Sequence, residues 1–574
     1  MAHIVFLIFL SLSAFSDEKV CSTVIIHGKE KMDLNETEKR LVCGDKKVDA
    51  YKDIPTYQAS YLMVGFLQSR GFLKPEFETV DGVLHVHPGK KAKLKKVTLA
   101  SDIKEEKFIK EEVNRRYRKK VLSPGLIGDV EKESKTILRQ RGYPCAVVES
   151  SADADTNEIG LQFSKTVYHT FGDVKREKIE GLRDNALDRY YPYDGGDAFD
   201  ERLLDLNEKR MLRAEVVQGT YYLEDCSEDA KEFSLAQEFM VGPPRTIRFG
   251  VGASTELGPM ARVVWSHNRS GSMASTIQAR IQGSLRSQSL VVTADTFVWK
   301  ESPRRSLYSE LNITRESQID YEQSLFRLTP ASVKWTRDGG EHGWTWILGP
   351  TLESGTYFSK DKSQTRAFNT AVLEGSFNLM AHNYELFDIH PEEGDLLDFK
   401  FGFRHPSLGF SDPSLRLDSS YVKLARLSEM GRGTIIGGFR IGAGTLVISD
   451  KVASGDLPPA VKFYGGGSDD IRGYLLNTLP KNDGIGAITR TSLKLELRRT
   501  YFFHEKLESF VFLDAAYFGD QSFKTDETLF YSPGFGLRWK SPIGMIQGYW
   551  ARALTLAPNE DNGNFLYAGL GGTF

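Results

Sequence analysis

The second half of the chain alternates between apolar and polar residues over long stretches. Residues 277–282, 397–403 and 491–498 each place apolar side chains on one face of an extended strand and mostly polar ones on the other. About sixteen such segments fit between Arg245 and Phe574. They are longer than the ~5–6 residues typical of strands in soluble sandwiches. The pattern predicts a sixteen-stranded antiparallel transmembrane β-barrel over residues 244–574, because a closed sheet gives every backbone amide and carbonyl a partner in lipid. A soluble all-β domain is the alternative.

The first half of the chain repeats a different pattern, in which a short strand precedes two helices and two further strands. In two copies the second helix ends at a glycine followed by an aromatic residue, at residues 71–72 and 142–143. Glycine there supplies the left-handed cap that terminates a helix. The third copy has Ala214 and Glu215 instead. We therefore predict three small β-α-α-β-β domains, at residues 17–94, 95–167 and 168–243.

The extreme N-terminus is apolar and short. Residues 4–15 form an apolar run that ends in small residues and is followed by charged ones. This pattern predicts a secretory signal peptide over residues 1–16, although the first three residues include no Lys or Arg. An uncleaved buried strand or helix is the alternative.

Composition and charge exclude some classes of protein and of partner. The net charge is −3 and the mean hydropathy −0.35, which argues against nucleic-acid binding and against a bundle of membrane-spanning helices. Cys21 and Cys43 fall in the first predicted domain, and we expect them to form a disulfide in an oxidising periplasm. Cys145 and Cys226 fall in different predicted domains and are left unassigned.

Motifs for catalysis are missing from the sequence. It contains no Gly-x-Ser-x-Gly elbow, Walker A loop or dinucleotide fingerprint. His85 and His87 share one face of a predicted strand, but no third ligand is evident. We expect neither an enzyme nor a cofactor, and no metal site.

One segment interrupts the alternation of the barrel. Residues 464–474 contain three consecutive glycines and, further on, an Ile-Arg-Gly-Tyr run. This string resembles the conserved loop of the POTRA–barrel outer-membrane insertases, the superfamily that includes BamA, TamA and the two-partner secretion exporters. The resemblance implies that a loop at residues 461–483 folds back into the barrel lumen. The motif residues are Gly465, Gly466, Gly467, Ile471, Arg472, Gly473 and Tyr474.

The resemblance also implies partners for the arginine. In the family it pairs with acidic side chains on the lumen wall, and the matching positions here are Glu496 and Asp514. Five strands follow the loop, as in the family, at about 486–499, 507–519, 530–540, 543–554 and 565–574. The resemblance covers nearly the whole mature chain, but its specific motifs lie in the last ~110 residues.

Three domains before the barrel most resemble the TamA type within this superfamily. The implied function is assembly or translocation of outer-membrane β-barrel or autotransporter-type clients. The implied partners are outer-membrane lipid, those unfolded clients and a large periplasmic TamB-like protein. The implied location is the outer membrane of a Gram-negative bacterium, with the POTRA domains in the periplasm. A two-partner-type pore for a dedicated passenger is the alternative, and a passive porin is a third reading.

An insertase of this kind needs a weak junction between its first and last strands, where a client strand is templated. Glycine packs poorly in strands, and glycines occur in both of the strands predicted to meet. We therefore expect a lateral seam formed by Ile247, Phe249, Gly250, Gly252, Gly569, Gly571, Gly572 and Phe574.

Overall fold

The structure is a computed structural model of the 574-residue chain. It describes residues 18–28, 32, 34–45, 54–101, 103–226, 231–319, 321–359, 365–387, 390–405, 413–430, 433–448, 457–481, 486–542, 544–556 and 563–570. The predicted signal peptide lies outside these residues, as do Gly571, Gly572 and Phe574 of the predicted seam. The chain divides into two compact units. The first comprises residues up to Thr170 with Ala198–Glu201 and Cys226–Phe233, and the second comprises the rest.

The first unit begins with a four-stranded sheet covered by two helices. Its strand order is β1-β2-β4-β3, with β2 parallel to β4. Helix α1 starts at a capping box in which Asn35 and Glu38 satisfy each other's backbone amides. Apolar side chains such as Met63, Leu67 and Val86 are fully buried between helices and sheet. The elements are β1 Glu18–Cys21, β2 Val24–Ile26, α1 Glu36–Cys43, α2 Thr56–Ser69, β3 Glu76–Val80 and β4 Val83–His87.

A second sheet in the same unit has the order β5-β7-β6, with β5 parallel to β7. Ser123 caps helix α4 by accepting a hydrogen bond from the amide of Leu126. The helix ends shortly before Gly142, whose φ of +98° is the left-handed conformation that the sequence predicts. The elements are β5 Lys96–Ala100, α3 Glu106–Tyr117, α4 Pro124–Arg139, β6 Val147–Asp153 and β7 Glu158–Ser164.

The third sheet has the order β8-β10-β9 and lies mostly in the second unit. Here the predicted pair of helices is wrong: the described residues contain one α-helix, and the other position is a 3₁₀-helix at Asp184–Tyr190. The strand expected at residues 216–222 begins later, after a turn in which Glu215 has a positive φ. The elements are β8 Thr170–Arg176, α5 Glu201–Arg213, β9 Gly219–Glu224 and β10 Glu232–Met240.

The remainder of the second unit is a closed antiparallel barrel built from strands β11–β27. Strands β25 and β26 both pair with β24 and are two parts of one strand interrupted at Ala553, so the barrel has sixteen strands. This confirms the predicted fold class of small α+β domains followed by a sixteen-stranded barrel. No helix among the described residues combines the length and the apolar composition needed to cross a membrane.

A short helix, α6 His382–Leu386, follows β18. The barrel strands are β11 Arg245–Ser254, β12 Gly258–Ser270, β13 Ser275–Gly283, β14 Ser287–Thr296, β15 Arg305–Ser317, β16 Tyr321–Gly339, β17 His342–Ser359, β18 Thr365–Ala381, β19 Gly394–Arg404, β20 Ser414–Met430, β21 Gly433–Val447, β22 Thr489–Arg499, β23 Leu507–Gly519, β24 Leu529–Ser541, β25 Gly544–Arg552, β26 Leu554–Thr555 and β27 Asn564–Leu570.

Candidate functional site: the lumen loop and the barrel seam

The connection between β21 and β22 folds into the barrel, and we call its described residues 457–481 the lumen loop. Its glycines are needed where the backbone is tightly enclosed. Gly466 has a φ of +102°, and a Cβ there would lie 2.1 Å from the carbonyl oxygen of Leu475. Gly473 has a φ of +99°, and a Cβ would lie 2.3 Å from the hydroxyl of Ser532. The loop is therefore a packed element of the barrel interior, and Ile471 and Tyr474 are buried within it.

Arg472 fixes the loop to two adjacent strands. Its Nε and Nη2 donate to the two carboxylate oxygens of Asp514 at 2.7 and 2.8 Å, and its backbone amide donates to Oδ2 at 3.0 Å. Its Nη1 donates to Glu496 Oε2 at 2.7 Å. The guanidinium also lies over the ring of Phe512, 3.6 Å from its centroid. This is the bidentate geometry that distinguishes arginine from lysine as a carboxylate partner.

The two acids are not directly opposite each other across β22 and β23. Glu496 pairs with Phe512 and Lys494 pairs with Asp514, so the acids are related diagonally. Arg472 reaches both, since diagonal neighbours on one face of a sheet are within range of a long side chain.

Further charges hold the loop along β22. Arg538 on β24 donates to both oxygens of Glu496, at 2.8 and 3.1 Å. Lys494 donates to the carbonyl of Asp469 at 2.7 Å, and Arg490 pairs with Asp470. The carboxylate of Glu496 thus lies between two guanidiniums, an arrangement that compensates its burial.

The barrel closes where its first strand, β11, meets its last strand, β27, and we call this junction the seam. On its other side β11 pairs with β12 through ten residue pairs, from Arg245 to Ser254. The described pairs across the seam are Ala253 with Leu570 and Ser254 with Gly569. The amide of Thr255 extends this contact by donating to the carbonyl of Ala568 at 2.9 Å.

The described residues test only part of the predicted seam. Gly569 is paired with β11, but Ile247, Phe249, Gly250 and Gly252 have no partner on β27 among the described residues. The described register, in which Leu570 lies opposite Ala253, does not test the seam predicted from Ile247 to Gly252, since Gly571, Gly572 and Phe574 lie outside the described residues. Phe249 is 78% exposed and Val251 80% exposed, so their side chains lie on the outer wall of the barrel.

A turn next to the seam carries a contact that the sequence does not reveal. Glu256, between β11 and β12, is 7% exposed. Ser468 of the lumen loop donates to it from its amide at 3.2 and 3.3 Å and from its hydroxyl at 2.8 Å. Burial raises the pKa of Glu256, and the hydrogen bonds from Ser468 oppose that rise.

Comparison with known proteins decides the family. A family model described as the Omp85 superfamily domain matches residues 278–574, just over half of the chain. The chain belongs to the Omp85 superfamily. The membership and the closed barrel make it an outer-membrane protein whose N-terminal domains are periplasmic.

Several solved structures are similar to this Omp85 superfamily member. BamA from Haemophilus ducreyi lacking POTRA domains 1–3 shares 14% identity with a TM-score of 0.49, over 84% of this chain and 100% of that one. CdiB from Acinetobacter baumannii shares 13% identity with a TM-score of 0.46, over 84% of this chain and 90% of that one. POTRA1–3 of the periplasmic domain of Omp85 from Anabaena shares 13% identity with a TM-score of 0.21, over 39% of this chain and 95% of that one.

The third α+β domain of this Omp85 superfamily member is fixed to the periplasmic end of the barrel. Arg210 on α5 donates to both oxygens of Asp338 at 2.8 and 3.0 Å, and to both oxygens of Glu385 on α6 at 2.7 and 3.0 Å. His382 lies 3.1 Å from the same Asp338 carboxylate. Burial lowers the pKa of Arg210, but its hydrogen bonds to Glu385 and Asp338 outweigh this and leave the pKa raised. No motif in the sequence indicates this ion-pair cluster.

The cysteines of this Omp85 superfamily member form two disulfides. Cys21 is joined to Cys43, and Cys145 to Cys226. The second pair is separated by 81 residues. Because a predicted domain boundary lies between Cys145 and Cys226, the sequence did not predict this bond.

A histidine cluster occurs in the first domain of the same chain. His27 stacks on both His85 and His87, with ring centroids 5.0 and 4.7 Å away. No pattern in the sequence places His27 beside the other two histidines. Across the part of the chain that the structure describes, no group of three or more His, Cys, Asp or Glu side chains has an arrangement suited to a metal ion.

Proposed function

We propose that this protein inserts outer-membrane β-barrel or autotransporter-type clients into the membrane through its seam. The observation that carries the proposal is that the barrel closes between its first and last strands, β11 and β27, beside the lumen loop. Neighbouring strands elsewhere in the barrel follow one another along the chain, whereas β11 and β27 are its first and last strands. These two strands can therefore separate without straining a connecting turn, and the edge of β11 then becomes available for pairing.

An open strand edge suits this task for a physical reason. The unpaired amides and carbonyls of a client strand are costly in lipid, so a client cannot enter one strand at a time without a partner. The edge of β11, once separated from β27, supplies that partner by strand addition. Each new client strand then pairs with the one before it until the client barrel closes.

The periplasmic part supports a TamA-type assignment within the superfamily. We take the three α+β sheets as three POTRA domains, at residues 17–94, 95–167 and 168–243, preceded by a signal peptide at residues 1–16. They would bind client segments or a large periplasmic TamB-like partner at their sheet edges. The process is strand exchange and membrane insertion, so it involves no catalytic residue, cofactor or metal.

Photo-crosslinking on β11 tests the proposal. A photoreactive amino acid replaces Phe249 on β11 in the full-length protein, which is reconstituted in liposomes and given a urea-denatured eight-stranded barrel as client. We expect crosslinks between residue 249 and the terminal strand of the client. The matched control is Ile281 on β13, which is 61% exposed on the outer wall and is expected to give none.

The same experiment separates the two candidate functions. A passenger that is exported through the pore crosses the lumen, so it would crosslink to a lumen position such as Ser420 rather than to residue 249. Crosslinks confined to the lumen position would overturn the insertase proposal in favour of a two-partner-type secretion pore.

A further inference from the structure

The lumen loop forms hydrogen bonds to the barrel on both sides of the seam. On the first side, Ser468 donates three hydrogen bonds to Glu256, with the shortest at 2.8 Å from its hydroxyl. Glu256 directly follows Thr255, whose amide donates across the seam to Ala568. No ion pair of Glu256 occurs among the described side chains, and Ser468 is the described residue that donates hydrogen bonds to this buried carboxylate.

On the second side, the same loop binds the strand next to β27. The hydroxyl of Tyr474 donates to the carbonyl of Leu554 at 2.7 Å, and its ring packs edge-on against Phe530. Gly473 lies against Ala551 of β25, because a Cβ at this glycine would come within 3.3 Å of the Ala551 methyl. Tyr474 is 6% exposed, so this contact is enclosed.

These two sets of contacts, Ser468 with Glu256 and Tyr474 with Leu554, lie on either side of β27. β27 is paired with β25 along residues 546–552, and its described residues Gly569 and Leu570 pair with β11. A loop segment of seven residues, from Ser468 to Tyr474, connects the turn after β11 to the strand that holds β27. Arg472 lies within this segment and fixes it to β22 and β23.

We propose that the lumen loop is an internal clasp that holds the seam closed, with Glu256 and Tyr474 as its positioning residues. The proposal rests on the proposed function in one respect, namely that opening of the seam is the working step. Release of Ser468 from Glu256 frees the turn after β11, which directly follows the described seam pairs of Ala253 and Ser254. Movement of the loop is thereby linked to exposure of the β11 edge.

Hydrogen exchange at the seam tests the clasp in the absence of any client. The amides of Thr255 and Ala568 both donate across the seam, to the Ala568 carbonyl and to the Thr255 hydroxyl respectively. In full-length protein in liposomes, Ser468→Ala should raise exchange in peptides that contain these amides by roughly tenfold, as expected for loss of a hydrogen bond to a charged group. Peptides from β13 and β14 should be unchanged.

Two further variants make the result specific. Glu256→Gln keeps an acceptor oxygen and should raise seam exchange less than Ser468→Ala. Thr478→Ala is the matched control, because the Thr478 hydroxyl donates within the loop to the Leu475 carbonyl, and it should leave seam exchange unaltered. If Ser468→Ala does not fold, as judged by heat-modifiable migration, Glu256→Gln alone decides.

Unchanged seam exchange in folded Ser468→Ala or Glu256→Gln protein overturns the clasp. That outcome leaves the insertase proposal intact, since no client takes part. Conversely, faster seam exchange in a barrel whose β11 never crosslinks to a client supports the clasp and contradicts insertion.

Discussion

Arg472 and Asp514 are joined by three hydrogen bonds of 2.7–3.0 Å, one of them from the backbone amide of the arginine. Asp514 is fully buried and Arg472 is 5% exposed. The side chain therefore fixes both the position and the backbone conformation of the loop. An isolated charge at either position would be strongly unfavourable, so each residue requires the other.

Arg472→Ala should release the lumen loop. It leaves the buried carboxylates of Asp514 and Glu496 without one of their cations, at a cost of ~3–5 kcal/mol. We expect limited proteolysis to cleave near residues 465–470 while the barrel still reaches the membrane, and client insertion to fall. Arg472→Lys should restore protection only in part, because an ammonium cannot make the bidentate contact.

The control for this experiment is Arg440→Ala. Arg440 is also a lumen arginine, but its described hydrogen bond is to the Ser420 hydroxyl at a long 3.5 Å. Its loss should leave the loop protected. A loop that stays protease-resistant in Arg472→Ala would show that apolar packing, and not the arginine, holds it in place.

Arg210→Ala should loosen the third domain from the barrel. Asp338 and Glu385 each lose a bidentate partner, and both carboxylates are largely buried. We expect amide exchange in α6, residues 382–386, to accelerate at least tenfold. Arg213→Ala is the matched control, since Arg213 is 43% exposed and lies 3.6 Å from Glu385, and screening by solvent makes such a pair weak. Equal exchange in the two variants would contradict this anchoring role for Arg210.

Acid should destabilise the barrel partly through His390, which lies in the periplasmic turn after α6. Burial lowers the pKa of His390 from 6.5 to about 4, although Glu508 acts in the opposite direction. Between these values the unfolded chain binds more protons than the folded one, so the free energy of unfolding falls as pH drops through this window.

His390→Gln should flatten this part of the pH profile. The measurement is the temperature at which heat-modifiable migration is lost, between pH 7 and 4. His504→Gln, at an exposed turn, serves as the control and should keep the wild-type profile. A His390→Gln profile that also follows the wild type would refute the assignment.

The two disulfides should contribute unequally to the stability of the periplasmic part. The Cys145–Cys226 bond closes a span of 81 residues and Cys21–Cys43 one of 22. Loop-closure entropy predicts stabilisation of ~4–5 and ~3 kcal/mol respectively. Pulse proteolysis of the full chain in urea should show the larger shift for the paired Cys145→Ala and Cys226→Ala change. Free thiols in non-reducing peptide maps of the wild type would contradict both pairings.

Much of the barrel follows from the sequence. The period-two pattern placed four of the five strands after the lumen loop within about three residues, since each alternates over a long stretch. In the third domain the prediction failed at residues 184–190, because a 3₁₀-helix has too few turns to produce a helical period.

The candidate site is only partly predictable. Arg472, Glu496 and Asp514 could be selected because their motif resembles a known family. The register of β22 against β23 could not, since both strands alternate equally well when shifted by two residues. The contact between Glu256 and Ser468 joins positions 212 residues apart, and no local pattern carries that information. The same holds for Arg210, whose partners lie 128 and 175 residues away.

Locking the seam is the most direct test of insertion through β11. Ala253→Cys and Leu570→Cys place thiols at a described pair across the seam. The matched control is Ala279→Cys with Val292→Cys, a pair across β13 and β14. Both proteins are oxidised, reconstituted in liposomes and given an unfolded eight-stranded barrel client. We predict that the locked seam lowers the initial insertion rate to that of empty liposomes, that reduction restores it, and that the control pair has no effect. Insertion at the normal rate through a fully crosslinked seam would contradict the account.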